Sequence, residues 1–184
     1  MARIAVIAGD GIGTEVIPEA IRVLEHLRTD LSFVDFALGA ERYLRDGTTM
    51  PDETMADIRD NYDAVLLGAL GDPRVPSNIH ARDILLGMRF QLELYINLRP
   101  IQLLDARFCP LKGIEPKDMD YVVFRENTEG LYTGIGGQFK RGTPDEVAIE
   151  AEMNTRKGVE RIIRAAFEYA KLHGRESVCM SDKA

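Results

Sequence analysis

An uninterrupted apolar run, Ile4 to Ala8, passes directly into Gly9-Asp10-Gly11-Ile12-Gly13, and helical spacing then takes over at Ile17, Ala20, Ile21, Leu24 and Leu27. A run without alternation presents apolar side chains on both faces, which suits a strand inside a helix-covered parallel sheet. The glycines supply a tight turn that needs positive φ. Thr14 is positioned to cap the following helix, with Pro18 tolerated in its first turn. Strand, turn and helix in this order predict an α/β chain.

The rest of the first half extends the pattern. Phe33 to Leu38 reads as a strand, Pro51 to Arg59 as a helix opened by acidic residues, and Asp63 to Ala69 as a third strand. Gly71 to Asn78, with its two prolines, reads as an ordered loop, and Arg82 to Leu94 as a helix. Tyr95 to Leu104 is extended and broken at Arg99-Pro100, because proline disfavours helix in the residue before it. That break divides the chain into a first α/β domain, 1–99, and a second domain, 100–184.

In the second domain Asp120 to Phe124 is a short strand. Glu146 to Met153 alternates, with Val147, Ile149, Ala151 and Met153 on one face, and so predicts a half-exposed sheet. Val159, Ile162, Ile163, Ala166, Phe167 and Ala170 form one apolar helical stripe that stops at Gly174. Ser177 to Ser181 reads as a final strand.

Composition narrows the function. The formal charge over 184 residues is −7, which disfavours a nucleic-acid partner, since phosphate neutralisation needs a basic surface. Cys109 and Cys179 are the sole cysteines, too few for a disulfide framework or a cysteine metal cluster. No apolar stretch approaches a membrane span or a signal peptide, so a cytoplasmic protein with no membrane partner is expected.

The glycine turn sits where a dinucleotide fingerprint would, but Thr14 stands at its third glycine, and no Gly-Lys-Ser/Thr follows to make a P-loop. Arginines carry more information. Arg82 and Arg89 share a helix face, Arg99 lies on the next extended segment, and Arg125 ends a strand. Each guanidinium is a planar fork matched to a carboxylate, so together they suit a small polyanionic acid, while surface ion pairing is the alternative. His26, His80 and His173 have no metal-ligand spacing, and no Ser/His/Asp or Cys/His constellation can be assembled.

These residues also resemble a known family, the β-decarboxylating dehydrogenases that include isocitrate, isopropylmalate, homoisocitrate, tartrate and D-malate dehydrogenases. The resemblance rests on Ile7 to Val16, on Met88-Arg89 through Tyr95 to Pro100, on Phe124 to Tyr132, and on Ser181-Asp182-Lys183-Ala184. It implies an isopropylmalate dehydrogenase-like α/β fold, a parallel or mixed sheet flanked by helices, with the start of a second α/β domain for dimerisation and substrate binding. Family members run to about twice this length, so it also implies the N-terminal half of a subunit, inactive alone. The resemblance gives Arg89, Arg99 and Arg125 to the substrate carboxylates, Leu85 to the substrate's γ-group and Ile12 to the cofactor. Lys183, acting across a homodimer interface, is the base, and Tyr132 protonates the enolate. Cofactors so implied are NAD, or NADP, with Mg²⁺ or Mn²⁺ held by aspartates further along the family's chain.

Within the family, the substrate's γ-group is read by the helix before Arg89. Asp83 and Leu85 stand where isocitrate dehydrogenases have a serine and an asparagine, which argues against a γ-carboxylate. The expected hydroxy dicarboxylate is 3-isopropylmalate, as in leucine biosynthesis, then tartrate or D-malate, then homoisocitrate. A non-catalytic regulatory subunit and a dicarboxylate-binding module are the competing readings.

Overall fold

The computed structural model describes residues 1–28 and 30–181. The chain divides into two compact units, Met1–Glu93 and Leu94–Ala184.

In the first unit β1 (Ala2–Ile7), β2 (Leu31–Asp35) and β3 (Ala64–Leu67) form a parallel sheet in the order β2-β1-β3. The central strand is the apolar N-terminal run, and its Ala5, Val6 and Ile7 are buried. Four helices accompany the sheet: α1 (Gly13–Leu27), α2 (Ala40–Asp46), α3 (Asp52–Asn61) and α4 (Ile79–Gln91). Ala5 and Ile7 pack with Leu38, Met55 and Ile58, and with Ile84 and Met88 of α4. The expected helix-flanked parallel sheet is therefore present, and its core depends on residues from every part of the unit.

Two expectations at the first turn are corrected. Helix α1 already begins at Gly13, and Thr14 Oγ1 donates to the Gly11 carbonyl at 2.8 Å instead of capping the helix. Pro18 consequently lies inside α1, past the first turn, where its missing N–H leaves the Thr14 carbonyl without its helical donor. Gly13, not position 14, is the glycine of close approach: a Cβ there would collide with the Ala8 carbonyl and the backbone of Ala69. The turn is thus wedged between the ends of β1 and β3.

In the second unit β4 (Ile96–Gln102) pairs antiparallel with β5 (Asp120–Glu126). Helix α5 (Arg156–Leu172) packs on β5, where Phe124 meets Tyr169 edge to face at 5.2 Å. Its start is capped by Thr155, whose Oγ1 accepts from the Gly158 amide. Its end follows the predicted stop: Gly174 takes φ +62°, and the Arg175 amide returns to the Ala170 carbonyl at 2.8 Å. Strands β6 (Gly136–Phe139) and β7 (Val147–Glu150) form a separate antiparallel hairpin.

Three strand readings are corrected in this unit, at Arg99-Pro100, at 146–153 and at 177–181. The division between units falls before Leu94, and β4 runs unbroken through Arg99-Pro100. Proline is tolerated because a two-stranded ladder leaves each strand an open edge. The β6–β7 hairpin is exposed on both faces, with Val147 and Ile149 on its apolar side 48% and 67% accessible, so the alternation at 146–153 marks a ribbon without a covering layer. Residues 177–181 form no strand.

Candidate functional site

Strand periodicity builds the first part of the site. In the β4–β5 ladder Asn97 stands opposite Arg125, and Arg99 stands opposite Val123, two residues further along β4. Arg99, Asn97 and Arg125 therefore share one ladder face, since alternate residues of a strand point the same way. Phe124 and Glu126, which meet α5, belong to the other face. Two of the predicted guanidiniums are thus brought together on the face turned away from the helix.

Tyr132 joins them. It occupies a short 3-10 turn, Leu131–Thr133, entered at Gly130 with φ +83° and left at Gly134 with φ +68°. That turn is anchored where the Gly130 amide donates to the Met153 carbonyl at 2.7 Å. The Arg125 guanidinium lies over the Tyr132 ring, 5.1 Å from its centroid. Arg99 Nε donates to Asn97 Oδ1 at 2.8 Å, and Asn97 Nδ2 donates to Asn127 Oδ1 at 3.3 Å. Asn127 is buried, donating from Nδ2 to the Leu94 carbonyl and from its backbone amide to the Tyr95 carbonyl. This chain fixes the orientation of the Arg99 fork from beneath.

Neither Asn97 nor Asn127 was singled out from sequence. The signal for Asn97 was its position two residues before Arg99, which in a strand means the same face.

Opposite this face, Glu126 accepts from Arg161 at 2.6 Å and from the Thr128 hydroxyl and amide and the Glu129 amide. Burial works to raise its carboxyl, but these donors prevail and hold it below the ordinary glutamate value. Arg161 also lies over the Tyr95 ring, 4.5 Å from its centroid. Glu126 and Arg161 therefore lock α5 to the end of β5.

The other predicted residues lie in the first unit. Leu85 and Arg89 are half-buried on α4, and Arg82 on the same helix is exposed and pairs with Asp83 at 3.4 Å. At about 100° per residue these three, Arg82, Leu85 and Arg89, share a helix face away from the buried stripe His80, Ile84 and Met88. Ile12 is 58% exposed at the start of α1. Lys183 lies outside the described residues.

Sequence reading passed over the best-organised polar group of this unit. The Asp10 carboxylate, 6% exposed, accepts from the Ala40 amide at 2.6 Å and from the Gly71 amide at 2.8 Å, and lies 2.7 Å from His80 Nε2. Burial works to raise the Asp10 carboxyl. The donors at Ala40, His80 and Gly71 outweigh it and leave the pKa below the usual aspartate value. Asp10 thereby supplies the cap that α2 lacks locally, since Gly39 at its start has no side chain to do so.

Among the described residues no group of three or more His, Cys, Asp or Glu side chains is arranged to hold a metal ion. No described helix is long and apolar enough to cross a membrane.

Comparison with known proteins agrees with this architecture. The family model described as isocitrate/isopropylmalate dehydrogenase matches residues 3–184. A 3-isopropylmalate dehydrogenase of Corynebacterium jeikeium is 52% identical over 170 residues, covering 92% of this chain and 49% of the relative. One from Bifidobacterium longum subsp. infantis is 51% identical over 171 residues, covering 91% of this chain and 49% of its own. Among solved structures, isocitrate dehydrogenase from Methylococcus capsulatus superposes with a TM-score of 0.80 at 34% identity, over 95% of this chain and 49% of that one. A β-decarboxylating dehydrogenase from Thermococcus kodakarensis gives 0.68 at 38% identity, over 95% and 47%. The chain spans about half the length of the curated relatives it matches.

Proposed function

Because the chain belongs to the isocitrate/isopropylmalate dehydrogenase family, we propose that it is the N-terminal part of a subunit that oxidatively decarboxylates a 2-hydroxy dicarboxylic acid, 3-isopropylmalate first among the candidates. The observation that carries this reading is the pair Arg99 and Arg125 on one ladder face, with Tyr132 stacked against Arg125. Two planar forks on a common face suit two carboxylates of one small acid. A phenol beside them suits donation of a proton to a carbon that loses carbon dioxide. The names of the curated relatives favour isopropylmalate over tartrate, D-malate and homoisocitrate, and Leu85 supplies an apolar surface for a branched substituent.

In this reading Ile12 would border NAD or NADP, which would supply hydride-accepting chemistry when bound, and Mg²⁺ or Mn²⁺ would supply Lewis-acid chemistry from aspartates beyond this part of the subunit. The protein's own groups do the rest. Arg89, Arg99 and Arg125 neutralise and orient the carboxylates, with Asn97 steadying Arg99. Lys183 withdraws the hydroxyl proton from across a homodimer interface, and Tyr132 returns one to the enolate carbon. Exposed apolar residues of the β6–β7 ribbon, Phe139 and Ile149 among them, support such an interface, because an uncovered two-stranded hairpin is marginal in water.

The test is steady-state kinetics of the full-length subunit on 3-isopropylmalate, D-malate, tartrate and homoisocitrate, with each nicotinamide cofactor and each metal. The highest kcat/KM is expected for 3-isopropylmalate. Absence of reduced nicotinamide with all four acids overturns the reading. The 184-residue chain alone is expected to be inactive, and robust Mg²⁺-dependent turnover by it would contradict that part.

A further inference from the structure

His80 is completely buried, yet it occupies the stripe of α4 on which Ile84 and Met88 supply the core. An apolar residue there would pack without desolvating a polar ring. The imidazole instead spends Nε2 on Asp10 at 2.7 Å and leaves Nδ1 buried with no hydrogen-bond partner. In the Nε2–H tautomer the orphan is an acceptor lone pair, still unfavourable in an apolar surround. The polar cost of this ring points to a role in what it holds.

What it holds is a meeting point of four segments. Asp10 belongs to the turn that carries Ile12, Ala40 opens α2, Gly71 begins the loop 71–78, and His80 stands in the first turn of α4. There is no slack around the carboxylate: a Cβ on Gly39 would come within 2.6 Å of Asp10 Oδ1. Tyr43 of α2 stacks on the His80 ring, centroids 6.1 Å apart and planes at 28°.

A second observation is independent of these bonds. Immediately before α4, Ser77 and Asn78 both sit in the left-handed region, at φ +56° and +47°. Two successive non-glycine residues there are strained and persist only when their surroundings impose the shape. The surroundings include the Asp72 amide, which donates to Asn78 Oδ1 at 3.0 Å, and the His80–Asp10 tie directly downstream.

We propose that His80 is a positioning residue: through Asp10 it ties the loop 71–78 and the start of α4 to the glycine turn, so that the helix bearing Leu85 and Arg89 and the turn bearing Ile12 keep one register. This deepens the dehydrogenase reading and rests on it. Its expected mark is on binding, because both elements are assigned to ligand contact and neither to the proton steps.

The experiment compares wild type, His80→Leu and His80→Gln in the full-length subunit. Leucine fills the volume without a donor, whereas glutamine keeps an N–H donor for Asp10. His80→Leu is expected to raise KM for the hydroxy acid and for the nicotinamide about tenfold, with kcat changed less than about threefold, and His80→Gln to recover most of the loss. Hydrogen exchange of the Gly71 and Ala40 amides, measured without ligand, should speed up in His80→Leu and return towards wild type in His80→Gln. Unchanged KM values with unchanged Gly71 exchange overturn the proposal, as does a leucine variant whose kcat falls while KM stays constant. If His80→Leu does not fold, His80→Gln against wild type decides by the same two readouts: near-wild-type values support the tie and leucine-like loss refutes it. Wild-type inactivity on every acid would strike the dehydrogenase reading, and the exchange measurement would still decide the tie.

Discussion

The guanidinium carbon of Arg125 lies 5.1 Å from the centre of the Tyr132 ring. This contact is made with the aromatic ring. Tyr132→Phe keeps the stacked surface and deletes the proton. If Tyr132 delivers the proton, kcat should fall about 10²- to 10⁴-fold while KM stays within a few fold. The measurement is steady-state kinetics with a thermal melt as control. A variant that loses KM and keeps kcat would remove Tyr132 from the proton step and leave it as a prop for Arg125.

Arg99 is held by Asn97 through a bond of 2.8 Å, and Asn97 by buried Asn127. Lysine at 99 retains charge but not the fork that Asn97 orients. Arg99→Lys is therefore expected to raise KM for the acid about ten- to a hundredfold, the range of a lost charged hydrogen bond. Asn97→Ala should raise it by a smaller factor in the same direction. Equal kinetics for wild type and Arg99→Lys would show that only charge is read at this position.

How much of this was legible in the sequence differs by type of interaction. The parallel sheet was readable because Ile4 to Ala8 is apolar without alternation, and α5 because its stripe holds its period up to Gly174. The common face of Arg99 and Arg125 needed the strand register, which no local pattern supplies. Helix α2 was missed because its cap, Asp10, is thirty residues away in the chain. A still longer separation hid the role of His80, whose partner is seventy residues upstream. Alternation at 146–153 was read correctly as a strand and wrongly as half of a covered sheet, because period reports which side chains share a face and not what lies against it.

The Asp10 carboxyl connects fold to pH. Burial opposes its ionisation, yet the donors at Ala40, His80 and Gly71 hold its pKa below that of an unfolded aspartate. A depressed carboxyl contributes stability that is fully present above the unfolded value and is lost as pH falls through the folded one. Asp10→Asn should accordingly be less stable than wild type near neutrality, and the gap should narrow as the solution is acidified below the ordinary aspartate range. Urea unfolding of both proteins from pH 7 down to about pH 3 is the check. A gap that is constant, or that widens in acid, would contradict the assigned donors.

Arg161 and Glu126 make the corresponding connection in the second unit, at 2.6 Å and with both side chains mostly buried. Replacing Arg161 by Met keeps the aliphatic stem and strands the carboxylate. A loss of about 1–3 kcal/mol is expected, below that of a fully enclosed pair, because Thr128 and Glu129 still donate to Glu126. The double variant Arg161→Met with Glu126→Leu should recover part of that loss. Failure of the second change to help would mean that Arg161 acts through its contact with Tyr95 instead.

Leu85 bears on which acid is used. It is half-buried on the helix face that also carries Arg89, so a substrate whose carboxylate Arg89 binds would present its substituent near that leucine. An apolar surface gains from a branched alkyl group and gains nothing from a hydrogen atom in its place. Leu85→Ser should then lower kcat/KM for 3-isopropylmalate about 10- to 200-fold and leave D-malate nearly unaffected, because a hydrophobic contact discriminates by that much and no more. The ratio of the two specificity constants is the quantity to measure, since any general damage to the subunit cancels from it. A ratio unmoved by the substitution would detach Leu85 from the substituent. A ratio that moves only through D-malate would mean that the natural acid carries no branched group.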